Sequence, residues 1–154
     1  VSRVDPLGLA ERAVVHPDHD VLRVGVGAID KDHQILISLL NKASSRSIGE
    51  GGTDEVIEEL IDYTHYHFRR EEAIMEACGY PDQEKHRGEH QSLVAQVNDL
   101  AGVWRKNRDP ETLHHLRKFL RDWLVGHIIN VDTGISPYVR GNDQEIRKAL
   151  NSLE

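Results

Sequence analysis

Cysteine is almost missing from this 154-residue sequence: Cys78 stands alone. That excludes an internal disulfide framework and a cysteine-rich zinc site. Long apolar runs are missing too, since the longest, Ile35 to Leu40, is far below the roughly 18 residues that a membrane span needs. Positive charge is in deficit, with 19 Lys and Arg against 26 Asp and Glu for a net charge of −7. Neither a nucleic-acid groove nor an anionic membrane surface is therefore expected. The opening Val1-Ser2-Arg3-Val4-Asp5 has no apolar stretch of the kind a signal peptide carries, so the expected location is the cytoplasm. Repeats, low-complexity tracts and sustained period-two alternation are absent from the sequence, and a chain of this length fits one domain.

What is present in excess is histidine. Ten histidines outnumber the Phe, Trp and Tyr residues (two, two and four), more than a core needs. The breakers are few and well separated, which favours long helices joined by short loops. Residues 1–28, with Pro6, Pro17, Gly8, Gly25 and Gly27, read as an irregular N-terminal arm. A first helix is expected from Asp30 as cap to about Ser45, followed by a loop over Ser47–Gly52. Thr53 reads as the cap of a second helix that stops at Gly79, with Pro81 just beyond. Asp82 opens a third helix ending near Asn107, and Arg105–Arg108 reads as a solvated loop edge. Asp109-Pro110 is cap plus first-turn proline for a fourth, which ends before Gly134. Asn142 and Glu145 resemble a capping box for a short C-terminal helix. The expected fold is all-α: an antiparallel up-down four-helix bundle over 29–138, with the arm (1–28) before it and a tail helix (139–154) after it.

Spacing gives the inward faces. Ile29, Leu36, Ile37 and Leu40 line helix one, and Ile57, Leu60, Ile61, Thr64, Phe68, Ile74, Met75 and Cys78 line helix two. Helix three offers Leu93, Val94, Val97, Leu100 and Trp104, and helix four Leu113, Leu116, Leu120, Trp123, Leu124 and Ile128. Seven polar residues fall on these stripes: His33, His67, Glu71, His86, His90, His127 and Asp132. The other histidines, His16, His19, His65, His114 and His115, fall off them and read as surface. One buried imidazole is an ordinary core residue. Seven ionisable groups in one interior are not, because each costs several kcal/mol without a partner and a domain's whole margin is about 5–15 kcal/mol.

Metal compensates such a set most simply. His67 and Glu71, like His86 and His90, are four apart and share one helix face. Five histidines and two carboxylates exceed one tetrahedral zinc, and calcium or magnesium would want mostly oxygen. Imidazole with carboxylate suits iron, manganese, copper or zinc, and carboxylates can bridge two ions. A ferritin-like di-iron bundle wants two Glu-x-x-His motifs. Only Glu111 to His114 has that spacing, off the stripes.

The residues resemble the hemerythrins, most closely the bacterial ones. The matching segments are Val26-Gly27-Ala28-Ile29-Asp30-Lys31-Asp32-His33, His67-Phe68-Arg69-Arg70-Glu71-Glu72 with Met75, and Gly79-Tyr80-Pro81. They continue with His86-x-x-x-His90 and with Trp123-Leu124-Val125-Gly126-His127-Ile128 leading to Asp132. The resemblance covers about residues 20–138. It implies two non-haem iron ions joined by an oxo or hydroxo bridge. His86, His90 and His127 would bind one, His33 and His67 the other, and Glu71 and Asp132 both. It implies reversible O2 binding without catalysis, at an open position on the two-histidine iron. Phe68, Trp123, Leu124 and Ile128 match the apolar O2 pocket, where plain core packing also accounts for them. Bacterial members often carry an aromatic where this chain has Ile135.

Two other uses fit the same site: an O2 or redox sensor with a fused or partner signalling domain, and a di-iron peroxidase or oxidase. The arm and the tail helix, with Ile146, Ala149, Leu150 and Leu153 on one face, would be connectors in a sensor. Ordinary packing on the bundle is the preferred reading of both. Cys78 is expected at a helix end, buried or half-buried.

Overall fold

A computed structural model describes residues 24–43, 50–130 and 132–153. It contains α1 (Gly27–Ala43), α2 (Glu50–Ala77), α3 (Gln83–Asn107) and α4 (Pro110–Asn130), then a 3-10 turn (Asp132–Ile135), α5 (Ser136–Val139) and α6 (Asp143–Asn151). The described elements are all helical. Each long helix packs on its sequence neighbour and α1 packs on α4, which closes the ring of a four-helix bundle. Most of the expected arm (residues 1–23, with His16 and His19) and the first part of the loop after α1 lie outside the described residues.

The helix ends show where local signals hold. Gly79, at φ +68°, ends α2. Tyr80 N donates to Met75 O at 2.9 Å and Gly79 N to Glu76 O at 3.3 Å, the paired bonds of a Schellman cap. Asp109 Oδ1 accepts from Glu111 N at 3.0 Å, with Pro110 the first residue of α4.

Other ends differ from the sequence reading. Asp30 lies in the first turn of α1 rather than before it. Its carboxylate reaches back to Val24 N (2.6 Å) and Gly25 N (3.2 Å), so the helix is capped from within and starts at Gly27. Glu50, Gly51 and Gly52 are helical instead of loop, and Thr53 is a buried helix residue instead of a cap. Its hydroxyl accepts from Arg117 Nη2 at 3.2 Å, while Asp54 accepts from Trp104 Nε1 (2.9 Å) and Arg108 Nη1 (2.6 Å to Oδ2). These bonds to α3 and α4 override the weak helix propensity of paired glycines. Arg105 and Lys106 belong to the last turn of α3, Arg105 pairs with Glu58, and Arg108 closes the helix at φ 52°. The stretch is exposed, as expected, but it is a tied helix end and not a loop. Asn142 makes no side-chain cap for α6; its Nδ2 donates to Tyr138 O at 2.9 Å instead.

Burial follows the expected stripes and divides into two apolar clusters. One holds Leu36, Ile37, Leu40, Ile57, Leu60, Phe68, Leu93, Leu116, Leu124 and Ile128 among others. The second, at the other end of the bundle, holds Val24, Val26, Ile29, Ile74, Met75, Tyr80, Ile135, Val139 and Ile146. Ile146 brings α6 against α2, so the tail helix packs on the bundle and lengthens its core. Cys78 is half-buried beside this cluster, at the end of α2. Between the clusters lies a layer of buried polar side chains.

Candidate metal centre

That layer is where the seven polar residues meet. His33 comes from α1, His67 and Glu71 from successive turns of α2, His86 and His90 from successive turns of α3, and His127 from α4. Asp132 arrives from the 3-10 turn after α4, which bends the chain back over the bundle interior. All seven are buried, the most exposed being His127 at 5%.

Their nitrogens and oxygens face one another. His127 Nε2 lies 3.2 Å from His90 Nε2 and 3.1 Å from His86 Nε2. Metal–nitrogen bonds of about 2.1 Å put neighbouring ligand atoms about 3.0 Å apart at right angles and roughly 3.4 Å apart at tetrahedral angles. The observed spacings lie between those values. Glu71 turns Oε1 to His86 Nε2 and Oε2 to His67 Nε2, each at 2.7 Å. Asp132 divides in the same way: Oδ1 lies 2.9 Å from both His86 and His127, and Oδ2 lies 3.1 Å from His33. Two overlapping groups result. Glu71, His86, His90, His127 and Asp132 form one, and His33, His67, Glu71 and Asp132 the other, each with ligand atoms within 4.8 Å of one another.

The carboxylate contacts are close without being hydrogen bonds. His67 Nε2, both Glu71 oxygens and both Asp132 oxygens are buried and lack a hydrogen-bond partner. Orphaned atoms of this kind cost several kcal/mol unless a cation takes them up. Two cations sharing two carboxylates take up all of them, so the residues fit a metal pair.

Charge is distributed to match. Burial alone would lower the His67 pKa, but Glu71, Asp132 and Asp32 beside it raise it well above the ordinary histidine value. Burial opposes Asp132 and Glu71 at His86 as well, and the carboxylates win, pushing it up to about 9. His90 goes down, through burial and the neighbouring His86 and His127, against the pull of Glu72. Asp132 stays ionised: burial works against it, but contacts with Glu71, His127, His33 and His67 hold it well below the usual carboxylate range. The outward Nδ1 atoms face carboxylates as well. Asp32 Oδ2 lies 3.2 Å from His67 Nδ1, Glu89 Oε2 3.4 Å from His127 Nδ1, and Glu72 Oε2 3.8 Å from His90 Nδ1. The Asp32 bond fixes which nitrogen of the His67 ring carries the proton and turns the other inward.

Two of the four expected pocket residues touch ligand rings. Phe68 stacks on His90 with centroids 3.7 Å apart, and Trp123 stacks on His127 at 4.4 Å. Both stacks are on the three-histidine side. Leu124 and Ile128 are buried in the apolar cluster that holds Phe68. His65, His114, His115 and Glu111 are exposed and belong to neither group. The sequence reading assigned no role to Asp32, Tyr63, Arg70, Glu72 or Glu89, although Tyr63 and Arg70 flank His67 by four and three residues on one side of α2.

Residues 24–139 match the Hemerythrin HHE cation binding domain. The chain belongs to the hemerythrin family. The bacteriohemerythrin of Pseudomonas aeruginosa (strain LESB58) is 32% identical over 131 residues, covering 84% of each chain. That of Methylococcus capsulatus (strain Bath) is 34% identical over 115 residues, 73% of this chain and 86% of the relative. A solved structure of a leucine-to-phenylalanine variant has 30% identity and a TM-score of 0.67, covering 75% of this chain and 89% of that one. These names denote no enzyme, in line with the expected non-enzymatic role. The residues able to hold a cation lie in the interior of the bundle. Among the described residues no helix is long and apolar enough to cross a membrane.

Proposed function

We propose that this hemerythrin-family chain binds O2 reversibly at a pair of non-haem irons, as a carrier or store, with residues 29–138 as the working unit. The observation that carries the reading is the division of Glu71 and Asp132, each offering one oxygen to either histidine group. One ion fits neither carboxylate's geometry as well as two do, and a mixed imidazole and carboxylate donor set suits iron.

A pair of irons bound there would supply the electrons that reversible O2 binding needs. The chain does the rest. His86, His90 and His127 would hold one ion and His33 and His67 the other, with Glu71 and Asp132 shared between them. The second group offers one protein ligand fewer than the first, which would favour the two-histidine side for a small molecule. Asp32 accepts the outward N–H of His67 and keeps that ring from turning, while Glu72 and Glu89 place negative charge beside His90 and His127. Phe68 and Trp123 cover the rings of His90 and His127, and with Leu124 and Ile128 keep water from the bundle interior beside the pair. The packing of α6 on the bundle supports a self-contained unit over a signalling connector.

Anaerobic loading with ferrous iron followed by metal analysis tests the pair. Two irons per chain are expected; saturation at one ion of any metal would overturn the reading.

A further inference from the structure

The outward face of His67 leads somewhere that O2 binding does not require. Asp32 Oδ2 lies 3.2 Å from His67 Nδ1, and Oδ1 of the same carboxylate accepts a 2.7 Å hydrogen bond from the Tyr63 hydroxyl. Arg70 Nε, 3.2 Å from Asp32 Oδ2, holds that carboxylate in place. Asp32 and His67 are buried, whereas Tyr63 is half-buried and lines a surface groove with Glu55, Glu58, Glu59, Asp62 and Tyr66. Tyr63, Asp32 and His67 thus form one hydrogen-bonded line from the groove to the metal centre. Burial and the Asp32 carboxylate push the Tyr63 phenol far above its ordinary range, so it stays protonated. A protonated phenol gives up an electron readily only where its proton has a place to go, and Asp32 Oδ1 is that place.

We propose that Tyr63 is the electron port of the metal pair, through which single electrons pass between the groove and the pair by way of Asp32 and His67. The proposal rests on the di-iron reading above. A one-electron oxidant in the groove takes an electron from Tyr63, whose O–H proton moves along the existing hydrogen bond to Asp32 Oδ1, leaving a neutral phenoxyl. One electron from the reduced pair then passes through His67 to the phenoxyl, and the proton returns from Asp32 to the phenolic oxygen. The net change is one electron lost by the pair and gained by the oxidant, with Tyr63 and Asp32 restored. Tyr66 is the internal comparison: its ring centroid is 5.6 Å from that of Tyr63 in the same groove, but its hydroxyl accepts from Arg70 Nη1 at 2.5 Å. Among the described residues it has no carboxylate acceptor.

Flash oxidation of the full chain by photogenerated ruthenium(III) tris-bipyridine tests the port, with tyrosyl radical followed by transient absorption and electron paramagnetic resonance. The metal-free, zinc-loaded and ferrous-iron-loaded forms are compared, with the iron content measured first. Radical is expected in the metal-free and zinc forms of the parent and of Tyr66→Phe, and its loss in Tyr63→Phe. In the metal-free protein Asp32→Asn, which removes the proton acceptor but keeps the phenol, should lower the radical yield. With reduced iron bound, the radical lifetime should shorten by an order of magnitude or more relative to zinc. Equal lifetimes with two irons bound, or undiminished radical in Tyr63→Phe, would overturn the port while leaving the di-iron reading intact. Failure to bind iron, seen in the metal analysis, would overturn both.

Discussion

Glu71 touches His86 through one oxygen and His67 through the other, both at 2.7 Å, and so ties α2 to α3 across the centre of the bundle. Removing that carboxylate strips a charge from both ion positions at once. Glu71→Ala and Asp132→Ala should each deplete iron from the whole site rather than halve it. His65→Ala and His114→Ala, both at exposed positions, should retain full iron. Metal analysis of the four purified variants checks this; an emptied site in His65→Ala with a filled one in His67→Ala would mean that helix α2 is out of register.

Iron should also stabilise the fold. The metal layer sits between two apolar clusters and holds orphaned polar atoms, so only the native state offers the site. A ligand present at 100 times its dissociation constant adds about 2.7 kcal/mol to stability. The metal-free protein should melt several degrees below the iron-loaded one in calorimetry. Equal melting would show that the ions do not bind inside the bundle.

The metal-free protein should lose stability as pH rises, and the gain on loading iron should grow. His67 and His86 carry raised pKa values in the fold, His86 about 9. Their contribution is complete below the unfolded value near 6.5 and is lost as pH climbs towards 9. His90, whose pKa is lowered, changes protonation below that window. The melting temperature of the metal-free form should therefore fall between pH 6 and pH 9. Iron must displace those same protons, so the gain in melting temperature on loading should be larger at pH 9 than at pH 6. A flat metal-free profile would remove the carboxylates as the source of the raised values.

The pocket wall and the core can be separated by two deletions. Leu124 and Leu60 are equally buried, in one cluster, but Leu124 is three residues before His127 and Leu60 is about two turns before His67. Each truncation to Ala should cost about 2–5 kcal/mol. Only Leu124→Ala should hasten oxidation of the reduced, O2-binding form, read as the rate of loss of the O2-dependent absorption. Parent-like rates in both would make Leu124 plain core. Oxidation of the parent within seconds, with turnover of peroxide, would favour the enzyme reading over storage.

The inward stripes and the positions of His33, His67, Glu71, His86, His90, His127 and Asp132 were legible in the sequence because helical periodicity carries them. Polar residues at three- and four-residue steps from Leu or Ile have only one direction to point. Capping was legible where it is local, as at Gly79 and Asp109, and misleading where distant partners decide. Thr53 has the chemistry of a cap, but Arg117, 64 residues on, takes its hydroxyl. The Asp32–Tyr63 bond spans 31 positions between two helices, and no pattern within either helix announces it. Which carboxylate oxygen faces which histidine is likewise a property of packing, since it follows from how the 3-10 turn swings Asp132 over the bundle.

The central claim is most directly tested by the absorption spectrum of the iron-loaded protein through cycles of O2 and argon. The account predicts a visible charge-transfer band that appears with O2, disappears under argon and returns over several cycles with two irons per chain throughout. A spectrum unmoved by O2, or a single irreversible change that argon does not undo, would contradict it.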